Sequence, residues 1–329
     1  MIVICGENVA DLLPIQRDYE PVASGLPAVG ESSGWLVRVA LGGGPANTAV
    51  AAARLGGSVA FHGRFGVDAF AEHFRARLVA GRVDLSGSRE VAAPSAVALV
   101  TLDDAGAARY DFWLDGAADF AAVGVPDPAP GDIAHTGSLA AYWPPGADAL
   151  ENWMRRAGAR CTVTLDVNLR PIVLDRQVDA RERMARLVSL AHVVKASDED
   201  VALAYPDAPP AEVVASWLAS GPELVLLTHG ATGASLHVVG EPAVSVPAPR
   251  VRVADTIGAG DAAMAALLVR LADVGIDGIR TQPVATLRYV CAAAAIACTQ
   301  PGAYAPEPAE VAALLSAQTG LGPNQTSEE

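Results

Sequence analysis

Along the chain, short runs that are apolar at every position alternate with longer Ala-rich segments of helical pattern. The runs "MIVICG" at the N-terminus, "CTVTLDVN" (Cys161 to Asn168), "AHVVKAS" (Ala191 to Ser197) and "ELVLLTHG" (Glu223 to Gly230) are β-branched or Leu-rich. Each stops at Gly, Asp, Asn or Ser, which predicts short buried strands. Helical patterns occupy Asn47 to Leu55, Ala69 to Ala80, Asp148 to Ala157, Arg181 to Ala191 and Ala211 to Ala219. Strands that are apolar on both faces and alternate with helices predict a mostly parallel sheet covered on both sides, a three-layer αβα domain. Ligands of such sheets gather at the carboxyl ends of the strands, where the polar residues of these runs lie.

Two regions break the rhythm. Gln16 to Ser33 is rich in Gly, Pro and Ser and leads into "GWLVRVALGGG". Further on, Ser95 to Leu102 and Ala107 to Leu114 flank Asp103-Asp104-Ala105-Gly106, a hairpin pattern. Together with Trp35 to Leu41 they predict a small antiparallel sheet inserted into the α/β domain, either a plain surface excursion or a lid over a site. The α/β domain is then discontinuous, 1–11, 42–94 and 117–319, with the β lid at 12–41 and 95–116. The last ten residues, 320–329, are polar and are expected to be disordered. On the second hairpin strand Tyr110, Phe112 and Trp113 put one face toward either core or ligand.

Composition narrows the class. With 329 residues, 51% hydrophobic and 18% charged, the chain can bury a large core. A formal net charge of −14 disfavours nucleic acid and anionic membranes as partners. It leaves room for a small phosphorylated ligand held by local backbone amides. Cys5, Cys161, Cys291 and Cys298 lack C-x-x-C spacing and sit in apolar stretches, as buried hydrophobes do. The six histidines show no metal spacing, and His135 is expected to make a structural hydrogen bond or to lie near a ligand. No basic n-region precedes Ile2-Val3-Ile4, and no apolar run approaches about 18 residues, so a cytoplasmic protein is expected.

The segment "VRVADTIGAGDAAMAALLVRLADVG" (Val251 to Gly275) carries the most chemistry. A strand-to-helix turn needs less glycine than this. A helix N-terminus offers unpaired N–H donors and about half a positive charge. Bare glycine backbone lets a ligand approach it, so Gly258, Ala259 and Gly260 can form an anion cradle. Asp261 is then either an N-terminal helix stabiliser or a general base for a hydroxyl group. Aspartate ionises near pH 4, so such a base must orient the hydroxyl and accept its proton late, as carboxylates do in phosphoryl transfer. A second glycine stretch, "LGGGPANTAVAAARLG", places Gly42, Gly43 and Gly44 before a helix that starts near Asn47. That arrangement suits close ligand approach and hydrogen bonds to sugar hydroxyls. Neither G-x-G-x-x-G after the first strand nor G-x-x-x-x-G-K-[ST] is present, against dinucleotide binding and a P-loop.

"GGGPANTAVAAARLG" and "DTIGAGDAA" resemble the paired signatures of the ribokinase-like, or PfkB, family of carbohydrate kinases. The resemblance is collinear over nearly the whole chain and includes "GENVADLLP", the lid hairpin, "DVNLRP", "VVKASDED", "LLTHGATGAS" and "CAAAAIACTQPGA". Within the family, "GE…DLLP", "GAAD", "DVNLRP" and "K-x-SDED" look most like the fructokinase branch.

The resemblance implies an ATP-dependent sugar kinase with Asp261 as base and Gly258, Ala259 and Gly260 as anion hole. Asp11, on the loop after the first strand, would bind sugar hydroxyls with Gly42, Gly43 and Asn47. Arg170 would contact sugar or phosphate, or else make a surface salt bridge. Lys195, Ser197, Thr228, Gly230 and Gly233 resemble the nucleotide-binding strand ends, although a solvated Lys195 fits as well. Ser197 and Asp200 stand where relatives carry Asn-x-x-Glu, which organises Mg²⁺ through water. Asp255, Ile257, Ala297 and Gly302 match a site for a monovalent cation such as K⁺. The family further implies a homodimer paired through the lid. Kinases for ribose, 2-keto-3-deoxygluconate or nucleosides are the alternatives within the family. A non-catalytic sugar- or nucleotide-binding sensor is the alternative of another class, disfavoured because a binding module has no use for the base.

Overall fold

The computed structural model describes residues 1–14, 36–102 and 108–319. The Gly/Pro/Ser-rich stretch, the hairpin turn and the last ten residues of the sequence fall outside the described residues.

The described chain opens with β1 (Ile2–Ile4), β2 (Val9–Pro14) and β3 (Val37–Gly42), then α1 (Gly44–Arg54). After β4 (Val59–Phe61) and β5 (Arg64–Phe65) come α2 (Ala69–Ala80), β6 (Arg89–Glu90), β7 (Val97–Leu102) and β8 (Ala108–Trp113). Alternation follows: β9 (Ile133–Gly137), α3 (Gly146–Gly158), β10 (Thr162–Asp166), α4 (Pro171–Arg176), α5 (Ala180–Leu190) and β11 (Val193–Ser197). Next are α6 (Asp198–Ala204), α7 (Pro210–Ser220), β12 (Leu224–Thr228), β13 (Ala234–Val238) and β14 (Val244–Val246). Three helices close the chain: α8 (Ala259–Thr281), broken at Gly275, α9 (Pro283–Ala297) and α10 (Pro308–Thr319).

An eight-stranded sheet runs in the order β14-β13-β12-β11-β10-β9-β1-β4. It is parallel from β12 to β4, and β13 and β14 add an antiparallel edge. Its strands alternate sides with period two. Ile2, Ile4, Val193, Leu224 and Leu226 enter one hydrophobic cluster with α1, α2, α8 and α9. Val3, Cys5, Val194, Val225 and Leu227 enter a second cluster with α3, α5 and α7. A strand feeding two cores must be apolar at every position, which is why these runs lack polar alternation. The strands therefore end, at Gly137, Asp166, Ser197 and Thr228, in polar or glycine residues at the carboxyl edge.

A separate four-stranded sheet, β3-β2-β7-β8, contains the hairpin. Here most positions are exposed or half-buried. Val39, Tyr110 and Trp113 are exposed, whereas Phe112 packs partly against the second cluster. Tyr110 and Phe112 stack with ring centroids 5.7 Å apart.

One buried carboxylate joins the two sheets. Asp119 accepts the N–H of Asn8, between β1 and β2, at 2.9 Å, and that of Ala96, just before β7, at 3.1 Å. Asn8 Nδ2 is a third donor at 3.3 Å. Asp119→Ala would leave these donors buried without acceptors and should destabilise the protein by roughly 2–4 kcal/mol. Urea unfolding would measure this, and a change below about 1 kcal/mol would show that the junction does not depend on the carboxylate.

Candidate active site

The start of α8 lies at the carboxyl side of the large sheet. Gly258 caps it in the left-handed region, with φ 79° and ψ 0°, and a side chain there would come within 2.8 Å of Ala303. Glycine is needed on both counts. No side chain caps the helix. Ala259 N–H donates to Thr256 O at 3.2 Å and Ala262 N–H to Gly258 O at 2.8 Å. Among the described residues the N–H groups of Gly258, Gly260 and Asp261 have no acceptor. Of the three residues predicted as an anion cradle, Gly258 and Gly260 thus present free donors and Asp261 adds one. The amide of Ala259 is engaged in the turn.

Asp261 is only 9% exposed. Its Oδ2 accepts from Asn47 Nδ2 at 2.8 Å. Its Oδ1 faces the bare Cα of Gly44, where a methyl group would sit 3.3 Å from it. The same position is 2.8 Å from Asn168 Nδ2 and 3.3 Å from Ser138 Cβ. Gly44, Asp261, Asn168 and Ser138 therefore enclose one space that a side chain on Gly44 would fill. Burial raises the pKa of Asp261, against the Asn47 hydrogen bond and the positive charges of Lys195, Arg170 and Arg77. A carboxylate made more basic while kept next to cations suits proton acceptance.

Asp11 is not on a loop. It lies within β2, opposite Ala40 of β3 and Ala98 of β7, because the lid sheet begins at Val9. Its Oδ2 presses on the Cα of Gly42, so that a side chain on this residue would have to displace the carboxylate. Burial pushes Asp11 up to about 6, and the Arg170 guanidinium works in the opposite direction. Arg170 is exposed, makes no ion pair among the described residues, and acts electrostatically on both Asp11 and Asp261. The surface salt bridge expected as its alternative is not what holds it. Gly43, with φ 101°, brings its Cα against the backbone of Glu7 and Asn8.

The nucleotide-side residues are more tightly built than their sequence suggests. Lys195 is not solvated: it is 3% exposed and its Nζ meets both oxygens of Asp166 at 2.9 and 2.8 Å. Burial opposes its charge, but Asp166 and Asp200 more than offset that and hold the proton on. Its Nζ lies 3.3 Å from where a methyl group on Gly260 would sit, which puts this ammonium beside the free amides. Asp200 Oδ1 accepts Leu169 N–H at 2.7 Å, and its Oδ2 accepts Ser197 N–H at 2.7 Å and Ser197 Oγ–H at 2.8 Å. Ser197 and Asp200 form a reciprocal capping box at the start of α6. Thr228 ends β12 and donates to Ala196 O at 3.4 Å, while Gly230 and Gly233 bracket a single 3₁₀ turn, Gly230–Thr232.

Asp255 brings the predicted cation-site segments together. Its oxygens accept the N–H groups of Ile257 at 3.0 Å and Gly302 at 2.8 Å. Cys298, which follows Ala297 at the end of α9, accepts the N–H groups of Ala254 and Asp255. Among the described residues no group of three or more His, Cys, Asp or Glu side chains is placed to cage a metal ion. His135 is structural: it is buried, bonds Thr164 Oγ1 at 2.9 Å, and burial pushes its pKa down to about 3.

Sequence reasoning did not single out Glu7, Arg77, Asp166, Asn168 or Ser138. Asp166 and Asn168 stand in "DVNLRP", whose unusual density of polar residues after an apolar strand was the available signal. Asn168 and Ser138 both adopt positive φ, at 34° and 57°, which cannot be read from residue type. Arg77 falls within the helical pattern Ala69 to Ala80, where no local motif marks it.

Comparison with known proteins follows this geometry. A family profile described as pfkB family carbohydrate kinase matches residues 17–310. A fructokinase of Salmonella typhimurium is 33% identical over 310 residues, 91% of this chain and 94% of its own. The crystal structure of a Xylella fastidiosa fructokinase with bound ATP superposes with a TM-score of 0.81 at 29% identity, over 97% of this chain and 98% of that one. A Vibrio cholerae O395 fructokinase in fructose, ADP and calcium ion bound form gives 0.81 at 27% identity, over 95% and 98%.

Glu7 provides a check on the electrostatics beneath the site. It is fully buried, accepts Ala140 N–H at 2.9 Å through Oε2, and its Oε1 has no hydrogen-bond partner among the described residues. Burial pushes its carboxyl up to about 7. The unfolded chain ionises near the ordinary 4.5, so between these values the native state binds more protons. The Glu7 contribution therefore falls as pH rises through that window. Glu7→Gln removes the titration, so its Tm relative to wild type should climb between pH 4.5 and 7 and then level off. A Tm difference independent of pH would mean that the carboxyl is ionised throughout.

Proposed function

Because the chain belongs to the pfkB family of carbohydrate kinases, and is an ATP-dependent sugar phosphotransferase, we propose that it phosphorylates fructose with Asp261 as general base. The reading rests on one observation: Asp261 Oδ1, with no hydrogen-bond partner among the described residues, faces the bare Cα of Gly44 from a helix start whose N–H groups at Gly258, Gly260 and Asp261 also lack acceptors there. An alcohol seated beside Gly44 donates to Oδ1, which orients it and receives its proton as its bond to phosphorus forms. The N–H groups of Gly258, Gly260 and Asp261, with Lys195 beside them, face the charge on the migrating phosphoryl oxygens. Asp11, Asn47 and Arg170 hold the remaining hydroxyls, and Gly42 and Gly43 let the sugar lie against the backbone.

Fructose is favoured because curated relatives that match over about nine-tenths of the chain, such as that of Salmonella typhimurium, are fructokinases, and the Vibrio cholerae fructokinase was seen with fructose bound. The kinases for ribose, 2-keto-3-deoxygluconate or nucleosides remain the alternatives to be screened. Lys195, Ser197, Thr228, Gly230 and Gly233 line the nucleotide side in this reading, with Ser197 acting through the capping box that shapes the strand end.

The donor set fits magnesium that arrives with the nucleotide. Mg²⁺ retains several waters and takes phosphate oxygens, so no cage of protein carboxylates is required. It neutralises phosphate charge when bound. Asp200, both of whose oxygens are already engaged, meets that ion only through water. The joined loops at Asp255, Ile257, Ala297 and Gly302 supply backbone carbonyls for a monovalent cation such as K⁺. The exposed apolar side chains Val39, Tyr110 and Trp113 support pairing of two lids in a homodimer. Among the described residues no helix is long and apolar enough to cross a membrane, in line with a cytoplasmic enzyme.

Asp261→Asn should lower kcat by about 10²–10⁴-fold with the KM for ATP little changed; a variant that keeps most of its turnover removes the base. In a panel of sugars with ATP and Mg²⁺, fructose should give the highest kcat/KM, and activity should rise with potassium. A clear preference for ribose, 2-keto-3-deoxygluconate or a nucleoside would replace fructose. Ligand binding without phosphorylation of any acceptor would make the protein a sensor.

A further inference from the structure

The amide of Asn47 is engaged at both ends. Its Nδ2 donates to Asp261 Oδ2 at 2.8 Å, and its Oδ1 accepts from Arg77 Nη2 at 2.8 Å. A guanidinium has donors and no acceptor, while an ionised carboxylate has acceptors and no donor. Only one orientation of the amide satisfies both. Turned over, it would set its N–H groups against the guanidinium and its carbonyl oxygen against the carboxylate. Without Arg77, one end of the amide would have nothing to define it.

The same guanidinium makes a second bond. Arg77 Nη1 donates to Leu41 O at 2.9 Å. Leu41 is in the last turn of pairing between β3 and β2, opposite Ala10, and leads directly to Gly42, against which Asp11 rests. One side chain of α2 thus joins the root of the lid strand, the amide of Asn47 and, through it, Asp261.

Ordinary stability does not account for this placement. Among the described residues Arg77 makes no ion pair, and both of its acceptors are neutral. A largely buried cation without a carboxylate against it is unfavourable. Its position in the last turn of α2 offsets part of that. The opposite charge that acts on it is Asp261, two bonds away through Asn47.

We propose that Arg77 is a positioning residue: it locks the Asn47 amide toward Asp261 and ties that lock to the root of β3, so that the base is aimed while the lid strand is seated. This rests on Asp261 acting as the base. Steady-state kinetics with fructose and ATP on Arg77→Met, Asn47→Ala, the double variant and Asp261→Asn test it. Arg77→Met should lower kcat/KM for fructose by up to about 100-fold while the KM for ATP stays within about twofold of wild type. The double variant should lose far less than the product of the two single losses, because the arginine acts largely through the amide. Losses that multiply in the double variant, a KM for ATP that rises with that for fructose, or an Arg77→Met enzyme at wild-type rate would each overturn the proposal. Arg77→Lys keeps the charge and reaches one acceptor, so it should recover part of the loss. Should Arg77→Met fail to fold, Arg77→Lys takes its place in the same cycle, with the same outcomes deciding. An Asp261→Asn enzyme that keeps its turnover removes the base assignment itself, whereas a dead one alongside an unaffected Arg77→Met removes only the role of Arg77.

Discussion

Asp261 sits one-tenth exposed at the positive end of α8, with amides on its own residue and on Gly260 that are unpaired among the described residues, and with one oxygen facing the bare Cα of Gly44. Taking a carboxylate out of water is costly unless its charge is met locally. Here it is met by the Asn47 amide, the helix terminus and three cations that none of its near sequence neighbours supplies. Lys195 comes from β11, Arg170 from the segment after β10, and Arg77 from α2. These cations oppose the effect of burial on the carboxyl group, and they reach it from three separate elements.

The two-core sheet makes that arrangement possible. Strands buried on both faces deliver their polar ends to one edge, and the helix starts at α1 and α8 present glycine backbone to the same edge. The lid sheet enters through β2, whose Asp11 meets Gly42, and is fastened to the domain by Asp119 and by Arg77. Asp119 is buried and Arg77 half-buried, and both bond backbone atoms. Such contacts define geometry more sharply than apolar packing, since a shifted strand would strand their partners.

Several chemical residues proved to be part of the scaffold as well. Ser197 and Asp200 cap α6, and Asp200 also accepts the N–H of Leu169, the residue before Arg170, so the segment "DVNLRP" is shaped by a side chain from the first turn of α6. Lys195, which looked as much like a solvated residue as a phosphate ligand, is buried against Asp166. His135 turned inward to Thr164. In each case the residue type allowed two roles and its burial chose between them.

The alternation of apolar runs and helical patterns, the glycines at both helix starts and the lone aspartate of "GAGD" were all legible in the amino-acid order. Each depends on backbone conformation or periodicity within a few residues, and local chemistry is written locally. The hairpin of the lid was legible for the same reason, although the antiparallel edge at β13 and β14 was not, since nothing in those short strands distinguishes their direction. What the order of residues could not contain was the pairing of groups far apart along it: Asn47 with Asp261, 214 positions away, Arg77 with Asn47, or Lys195 with Asp166. Those partners are chosen by how the sheet and helices pack, and only in the packed state does the carboxylate of Asp261 acquire its burial and its neighbouring charges.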